Sequence, residues 1–228
     1  MRALMIILIL FFSVQLPQAD QYTPLREKMV KQQLIDRGIT DKKTIDALRE
    51  VPRHLFVPQD LQERAYDDSP LPIGFGQTIS QPYIVALMTQ VAKPGPGQKA
   101  LEIGTGSGYQ AAVLSQIVDS VYTIEIVPEL AKDAEGLFMR LGYGNIVAKF
   151  GDGYKGWPER APFDIIIVTA APEDIPQPLV DQLAENGRMI IPVGDPNSYQ
   201  ELVLAEKKQG KIIKTRITTV RFVPFRRL

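Results

Sequence analysis

The sequence predicts an α/β protein: one doubly wound, mostly parallel sheet with an N-terminal helical extension and antiparallel C-terminal edge strands. Three observations carry this reading. Beyond Gly97, strand-like apolar runs alternate with segments of helical spacing, the pattern of strands joined by crossover helices. One run, Asp164-Ile-Ile-Ile-Val168, is continuously apolar after its first residue, as a central strand buried on both faces should be. The last two runs alternate polar and apolar residues around Gln209-Gly210, which reads as an antiparallel hairpin closing one sheet edge.

In chain order, the first segment stands apart. Met1 to Phe12 is an apolar run behind a single charge, Arg2, and polar character returns by Gln15. The run is shorter than the ~20 residues a membrane-crossing helix needs and has the length of a signal-peptide core. Residues 1–19 are therefore expected to be a signal or tethering segment, and 20–228 a single domain. Within it, 20–97 forms a helical and loop extension, 98–194 the core, and 195–228 the C-terminal strands.

Leu25, Met29, Leu34 and Ile35 recur at helical spacing, and Gly38 supplies the stop. Thr40-Asp41 caps a second helix that ends at Val51-Pro52. The stretch 52–81 is rich in Pro, Gly and Asp and reads as a long loop, a length usually reserved for binding segments or lids. Helical spacing returns at 81–91, and Lys93-Pro-Gly-Pro-Gly97 is a turn. Strands are expected at 100–103, 120–124, 146–150, 163–168 and 188–192, with helices at 109–118, 128–141 and 178–184. The closing strands are expected at 202–207 and 211–223.

Composition excludes several chemistries. The chain has no cysteine and one histidine, His54. There is no thiolate nucleophile, no disulfide, and no Cys-ligated or multi-histidine metal site, so no metal is expected. Its 26 basic and 26 acidic side chains give zero formal net charge, with no global pull toward nucleic acid or anionic membrane.

The sharpest local signal is Leu101-Glu-Ile-Gly-Thr-Gly-Ser-Gly-Tyr109, placed between an expected strand and an expected helix. Glycines there permit backbone angles other residues resist and let a ligand approach the main chain, at a helix end with free N–H groups. The spacing Gly104-x-Gly106-x-Gly108 differs from the dinucleotide fingerprint G-x-G-x-x-G, and no phosphate-cradling lysine follows. Glu125 stands at the end of the second strand, where a carboxylate can accept hydrogen bonds from a ribose diol. The third strand ends in Gly151-Asp152-Gly153.

The glycine loop with its acidic strand end closely resembles the class I S-adenosylmethionine-dependent methyltransferases, whose fold is Rossmann-like. The resemblance implies that Glu102, Gly104, Thr105, Gly106, Ser107 and Gly108 surround the methionine part of the cofactor. Glu125 would take the ribose hydroxyls, and Asp152 with Gly153 would face the adenine.

Four further segments narrow the family: Val51-Pro-Arg-His-Leu-Phe-Val-Pro58; Ala65-Tyr-Asp-Asp68 with Pro70-Leu-Pro-Ile-Gly-Phe-Gly-Gln-Thr-Ile-Ser-Gln-Pro-Tyr83; Phe163-Asp-Ile-Ile-Ile-Val-Thr-Ala-Ala-Pro172; and Arg221-Phe-Val-Pro224. Together, from about Leu25 to Pro224, they resemble the protein-L-isoaspartate (D-aspartate) O-methyltransferase family. By that resemblance Ser80 is the active-site residue, Thr78 and Ile79 line the cofactor and substrate pocket, and Val223 helps hold the substrate peptide. His54 would order the lid at the substrate end of the site. The apolar leader and the end of the chain soon after Pro224 depart from the family pattern, so any C-terminal cofactor contact stays unassigned.

The implied partners are proteins and peptides carrying isoaspartyl or D-aspartyl residues, with no nucleic acid and no integral membrane span. A monomer in the cytoplasm is expected, with export or periplasmic location as the alternative raised by the leader. The nucleophile is the substrate's carboxylate, already ionised with a pKa of about 4, so no general base is required. Alignment and desolvation would carry the rate. The Ser80 hydroxyl would orient the carboxylate, or cap the helix at 81–91. Two other readings compete: a class I methyltransferase for a small molecule or RNA, and a non-catalytic exported protein with this fold.

Overall fold

The computed structural model describes residues 21–195 and 197–228; the expected signal or tethering segment, 1–19, lies outside them. The extension opens with α1 (Thr23–Lys28), which runs on through a π-helical turn, Met29–Leu34, and a 3₁₀ turn, Ile35–Arg37, to Gly38 at φ 90°. The single expected helix is thus continuous but widened. Met29, Val30 and Leu34 are all fully buried, and their i, i+1, i+5 spacing suits the π turn better than a 3.6-residue repeat.

Asp41 caps α2 (Lys42–Glu50), accepting hydrogen bonds from the Thr44 amide at 2.9 Å and the Thr44 hydroxyl at 2.7 Å. The expected loop at 52–81 contains more structure than its sequence shows. Two 3₁₀ turns, Arg53–Phe56 and Gln59–Arg64, precede a hairpin of β1 (Leu71–Gly74) and β2 (Gln77–Ile79). The hairpin escapes sequence patterning because Gly74, Phe75 and Gly76 all take positive φ, and a phenylalanine there is not a recognised turn residue. Pro82 then opens α3 (Pro82–Ala92).

The core follows as β3 (Lys99–Ile103), α4 (Tyr109–Ser115), β4 (Ser120–Glu125), α5 (Pro128–Leu141), β5 (Ile146–Phe150), β6 (Phe163–Val168), α6 (Gln177–Gln182) and β7 (Leu183–Val193). β7 starts earlier than the expected 188, with a register irregularity against β6 and Asn186 at positive φ. β8 (Gln200–Lys208) and β9 (Lys211–Val220) complete it, turning at Gln209 and Gly210, both at positive φ.

The seven strands lie in the order β5-β4-β3-β6-β7-β8-β9. β5 through β7 are parallel, and β8 and β9 are antiparallel at the edge, as expected. Alternate residues serve opposite faces. Ala100, Ile165 and Ile167 join the core cluster that includes the N-terminal helices, and Leu101, Ile103, Ile166 and Val168 join the other. The chain leaves β3 toward β4 on one side, and β6 returns on the other side of β3. The crevice outside the ends of β3 and β6 is the topological switch point, the usual ligand position in such sheets.

Candidate active site

Gly104 and Thr169 flank that crevice. The Thr169 amide donates to the Ile103 carbonyl at 2.9 Å, and its hydroxyl donates to the carbonyls of Ile103 at 3.0 Å and Gly104 at 2.7 Å. Gly104 has φ +94°, and a Cβ there would collide with the Thr169 hydroxyl. The glycine is therefore required twice, by its backbone angle and by its neighbour. Gly106 has φ +50° with Ile73 of β1 against it, and Gly108, the N-cap of α4 at φ +87°, packs on Phe138.

Two clefts open here. The first, of 540 Å³, is lined by Gly104, Gly106, Ile124, Glu125, Ile126 and Gly153 on the sheet side. Gln77 and Thr78 of the hairpin and Val223–Arg226 of the C-terminal segment complete it. The second, of 1050 Å³, is lined by Thr78, Ser80, Gln81, Ile84, Tyr199 and Thr219–Val223. Thr78, Thr169 and Val223 line both, so the clefts share a wall. The C-terminal segment is held in place by Ala171, whose amide donates to the Val223 carbonyl at 2.9 Å and whose carbonyl accepts from the Phe225 amide at 3.0 Å.

A smaller cavity beneath the glycine loop collects Ile79, Ser80, Glu102, Thr105, Ser107, Tyr109 and Gln110. Glu102 is fully buried. Its Oε2 accepts from the Thr123 hydroxyl, which lies 2.6 Å from the Thr105 hydroxyl. Its Oε1 meets no donor at full hydrogen-bond geometry among the described residues. Burial pushes the Glu102 carboxyl up to about 8, opposed by the Thr123 hydrogen bond, with a smaller push from the Glu125 charge and a small opposing effect from the Ala111 amide.

Glu125 is also buried, but its carboxylate is well served. Oε1 accepts from the amides of Ile126 at 2.9 Å and Val127 at 3.0 Å, and Oε2 from the Gly106 amide at 2.7 Å. A carboxylate offers about four acceptor positions, so one remains on Oε2, facing the first cleft.

The structure thus brings together Thr78, Ile79, Ser80, Glu102, Gly104, Thr105, Gly106, Ser107, Glu125, Gly153 and Val223 around one set of connected cavities. Ser80 is not the helix cap: Gln81 holds that position and no side chain caps it. Ser80 instead lines the second cleft.

Three expected residues lie elsewhere. Gly108 serves helix packing. Asp152 sits just behind the first cleft, its Oδ1 accepting from the Tyr154 amide at 3.1 Å and its Oδ2 from Arg227 Nε at 3.1 Å. His54 is stacked on Tyr22 with ring centroids 4.1 Å apart, and its Nδ1 is 2.9 Å from the Tyr66 hydroxyl, in a buried aromatic group that lines neither cleft.

Sequence reasoning overlooked Thr169, Arg227 and Arg53. Thr169 could have been found as the first residue past the central strand at the switch point. Arg227 carried no signal beyond being one of two terminal arginines.

The residues present fit an S-adenosyl cofactor. A buried carboxylate oxygen on Glu102 that lacks a full hydrogen bond suits an ammonium group, and the free acceptor on Glu125 suits a ribose hydroxyl. Gly104 and Gly106 line the first cleft with main chain alone, so a ligand there can approach the backbone.

Comparison with known proteins agrees. The sequence profile described as protein-L-isoaspartate(D-aspartate) O-methyltransferase matches residues 25–227. A protein-L-isoaspartate O-methyltransferase of Opitutus terrae is 57% identical over 202 residues, covering 89% of this chain and 87% of the relative. That of Gloeobacter violaceus is 55% identical over 199 residues, covering 87% and 97%. Among solved structures, a protein-L-isoaspartate O-methyltransferase superposes with a TM-score of 0.79 at 32% identity, covering 87% of this chain and 65% of that one. A putative family member from Plasmodium falciparum, in complex with S-adenosyl-L-homocysteine, superposes with a TM-score of 0.74 at 31% identity, covering 88% and 98%. This chain belongs to the protein-L-isoaspartate (D-aspartate) O-methyltransferase family.

Proposed function

We propose that the chain is a protein repair methyltransferase. It moves a methyl group from S-adenosylmethionine to the free α-carboxylate of L-isoaspartyl residues, and to the β-carboxylate of D-aspartyl residues, in damaged proteins. The resulting ester re-forms a succinimide with loss of methanol, and the succinimide reopens in part to normal aspartate. One observation carries the reading: two clefts, one between the glycine loop and Glu125 and one beside Ser80, share Thr78, Thr169 and Val223. A methyl donor in the first and a carboxylate in the second would meet at that shared wall.

When bound, S-adenosylmethionine supplies an electrophilic methyl on a positively charged sulfonium. Everything else is asked of the protein. Glu102 accepts from the cofactor's ammonium, Glu125 from its ribose, and the Gly104–Gly106 main chain lets it lie close. Ser80 donates its hydroxyl hydrogen bond to the substrate carboxylate and holds one oxygen toward the shared wall. No residue needs to remove a proton, because the carboxylate arrives ionised. Rate comes from fixing two reactants in line and excluding water.

Among the described residues no helix is long and apolar enough to cross a membrane. The chain is read as a monomeric catalytic domain over 20–228, acting on proteins and not nucleic acid, in the cytoplasm where its methyl donor is made. Ser80→Ala tests the site. It should lower kcat on an isoaspartyl peptide by roughly 10- to 100-fold, the loss of one oriented charge-assisted hydrogen bond. It should leave S-adenosyl-L-homocysteine binding intact. An unchanged kcat would remove Ser80 from the mechanism.

A further inference from the structure

Arg53 opens the 3₁₀ turn Arg53–Phe56, in the segment Val51–Pro58. Its side chain is fully buried. Its Nε donates to the Ala65 carbonyl at 2.7 Å, and its Nη2 donates to the Ser80 carbonyl at 2.7 Å. The guanidinium carbon lies 4.7 Å from the centroid of the Tyr109 ring, just past the glycine loop. Nη1 has no partner. Among the described residues no carboxylate is paired with it, in a chain with 26 acidic side chains to offer. Burial pushes its pKa down to about 10, which leaves it a cation at neutral pH.

A buried charge without a counter-ion is costly to desolvate, so such a group requires a reason. Backbone carbonyls and a ring face lessen the cost without cancelling the charge. The substrate, by contrast, brings a full negative charge to the hydroxyl of the same residue whose carbonyl Arg53 holds.

We propose that Arg53 is a positioning residue that acts through Ser80, and is the buried counter-charge for the substrate carboxylate. It fixes the Ser80 main chain so that the hydroxyl points into the substrate cleft. It also supplies positive potential there without touching the substrate. A rigid guanidinium, held before substrate arrives, needs no reorganisation when the carboxylate is desolvated. Methylation removes the negative charge, so the same potential that favours substrate no longer favours the neutral ester, and product release is helped. This proposal rests on the methyltransferase reading above.

A unit charge acting across roughly 8 Å at an effective dielectric of about 20 changes an anion's binding by about thirtyfold. The first test uses the unaltered enzyme. An isoaspartyl peptide and its neutral isoasparaginyl counterpart are compared as ligands by calorimetry, in the presence of S-adenosyl-L-homocysteine. The charged peptide should bind at least tenfold more tightly; equal affinities would overturn the proposal whether or not any variant folds. In Arg53→Met, KM for the isoaspartyl peptide should rise about 10- to 30-fold. Affinity for the isoasparaginyl peptide and for S-adenosyl-L-homocysteine should stay within about twofold of the parent. Arg53→Lys, keeping the charge, should recover most of the KM. Equal weakening of both peptides in Arg53→Met would assign Arg53 to structure alone. Failure of the parent enzyme to methylate isoaspartyl peptides at all would instead count against the methyltransferase reading.

Discussion

Cofactor affinity should rise steeply with pH, and the cause is Glu102. Its carboxyl is buried beneath the glycine loop, lifted to about 8, with Oε1 lacking a full hydrogen bond. In the cofactor-free protein it is therefore mostly protonated at pH 6 and half-ionised near pH 8. An ammonium placed against Oε1 requires the ionised form and lowers the carboxyl's pKa. Binding then releases a proton, and affinity grows with pH until Glu102 is already ionised. With a free-state pKa of about 8, the ionised fraction rises about fiftyfold from pH 6 to pH 8, and affinity rises with it, close to tenfold per unit at the lower end. Calorimetric titration with S-adenosyl-L-homocysteine across that range measures this directly. Repetition in buffers of different ionisation enthalpy counts the released proton. Glu102→Gln should flatten the profile and remove the proton release. A flat profile in the parent protein would refute the reasoning.

The stability of the free protein should run the other way. Glu102 ionises at its usual value near 4.5 when unfolded and near 8 when folded. The unfolded state loses its proton first, so the folded state loses stability as pH rises from about 4.5 to about 8, with no loss from this group below 4.5. Thermal melting of the parent and of Glu102→Gln should show that difference.

Other predictions concern the walls of the site. Gly104→Ala places a methyl group against the Thr169 hydroxyl at a φ of +94° and should lower Tm together with S-adenosyl-L-homocysteine affinity, by tenfold or more for the latter. Thr169→Val removes the hydroxyl hydrogen bonds to the carbonyls of Ile103 and Gly104. The hydroxyl shares its one hydrogen between the two carbonyls, so the loss should cost about 1 kcal/mol in urea unfolding. Arg227→Ala frees the Asp152 carboxylate and uncovers the Tyr154 ring, over which the guanidinium sits at 3.6 Å. Arg227 is half exposed, so the pair is worth under about 1 kcal/mol, and the expected result is a two- to fivefold weaker S-adenosyl-L-homocysteine with peptide KM unchanged.

Legibility in the sequence followed periodicity. β3 through β6 and α5 fall within a residue of where alternation and helical spacing put them, because each buries a regular face. The π turn at Met29–Leu34 and the bulge between β6 and β7 did not, since both are local departures from a repeat, made where the core requires them. The hairpin of β1 and β2 was hidden by a phenylalanine doing a glycine's work at φ 54°. The site divided the same way. Glu125 stands at a strand end whose chemistry is local, and Glu102 and Ser80 stand in segments that the family resemblance singles out. Arg53 has no local signal, because its burial and its bond to the Ser80 carbonyl come from chain 27 residues away folding over it. Asp152 was expected at the adenine end. Its engagement by Arg227 depends on a segment 75 residues away folding back, which no local pattern records.

The central claim is that the two clefts join an S-adenosyl methyl donor to the misplaced carboxylate of an isoaspartyl residue. The most direct measurement is transfer of labelled methyl from S-adenosylmethionine to two peptides differing only at one residue, isoaspartate in one and aspartate in the other. Base-labile methyl ester on the isoaspartyl peptide alone is the predicted result. Equal labelling of both, or labelling of neither by a protein that binds S-adenosyl-L-homocysteine, would contradict it.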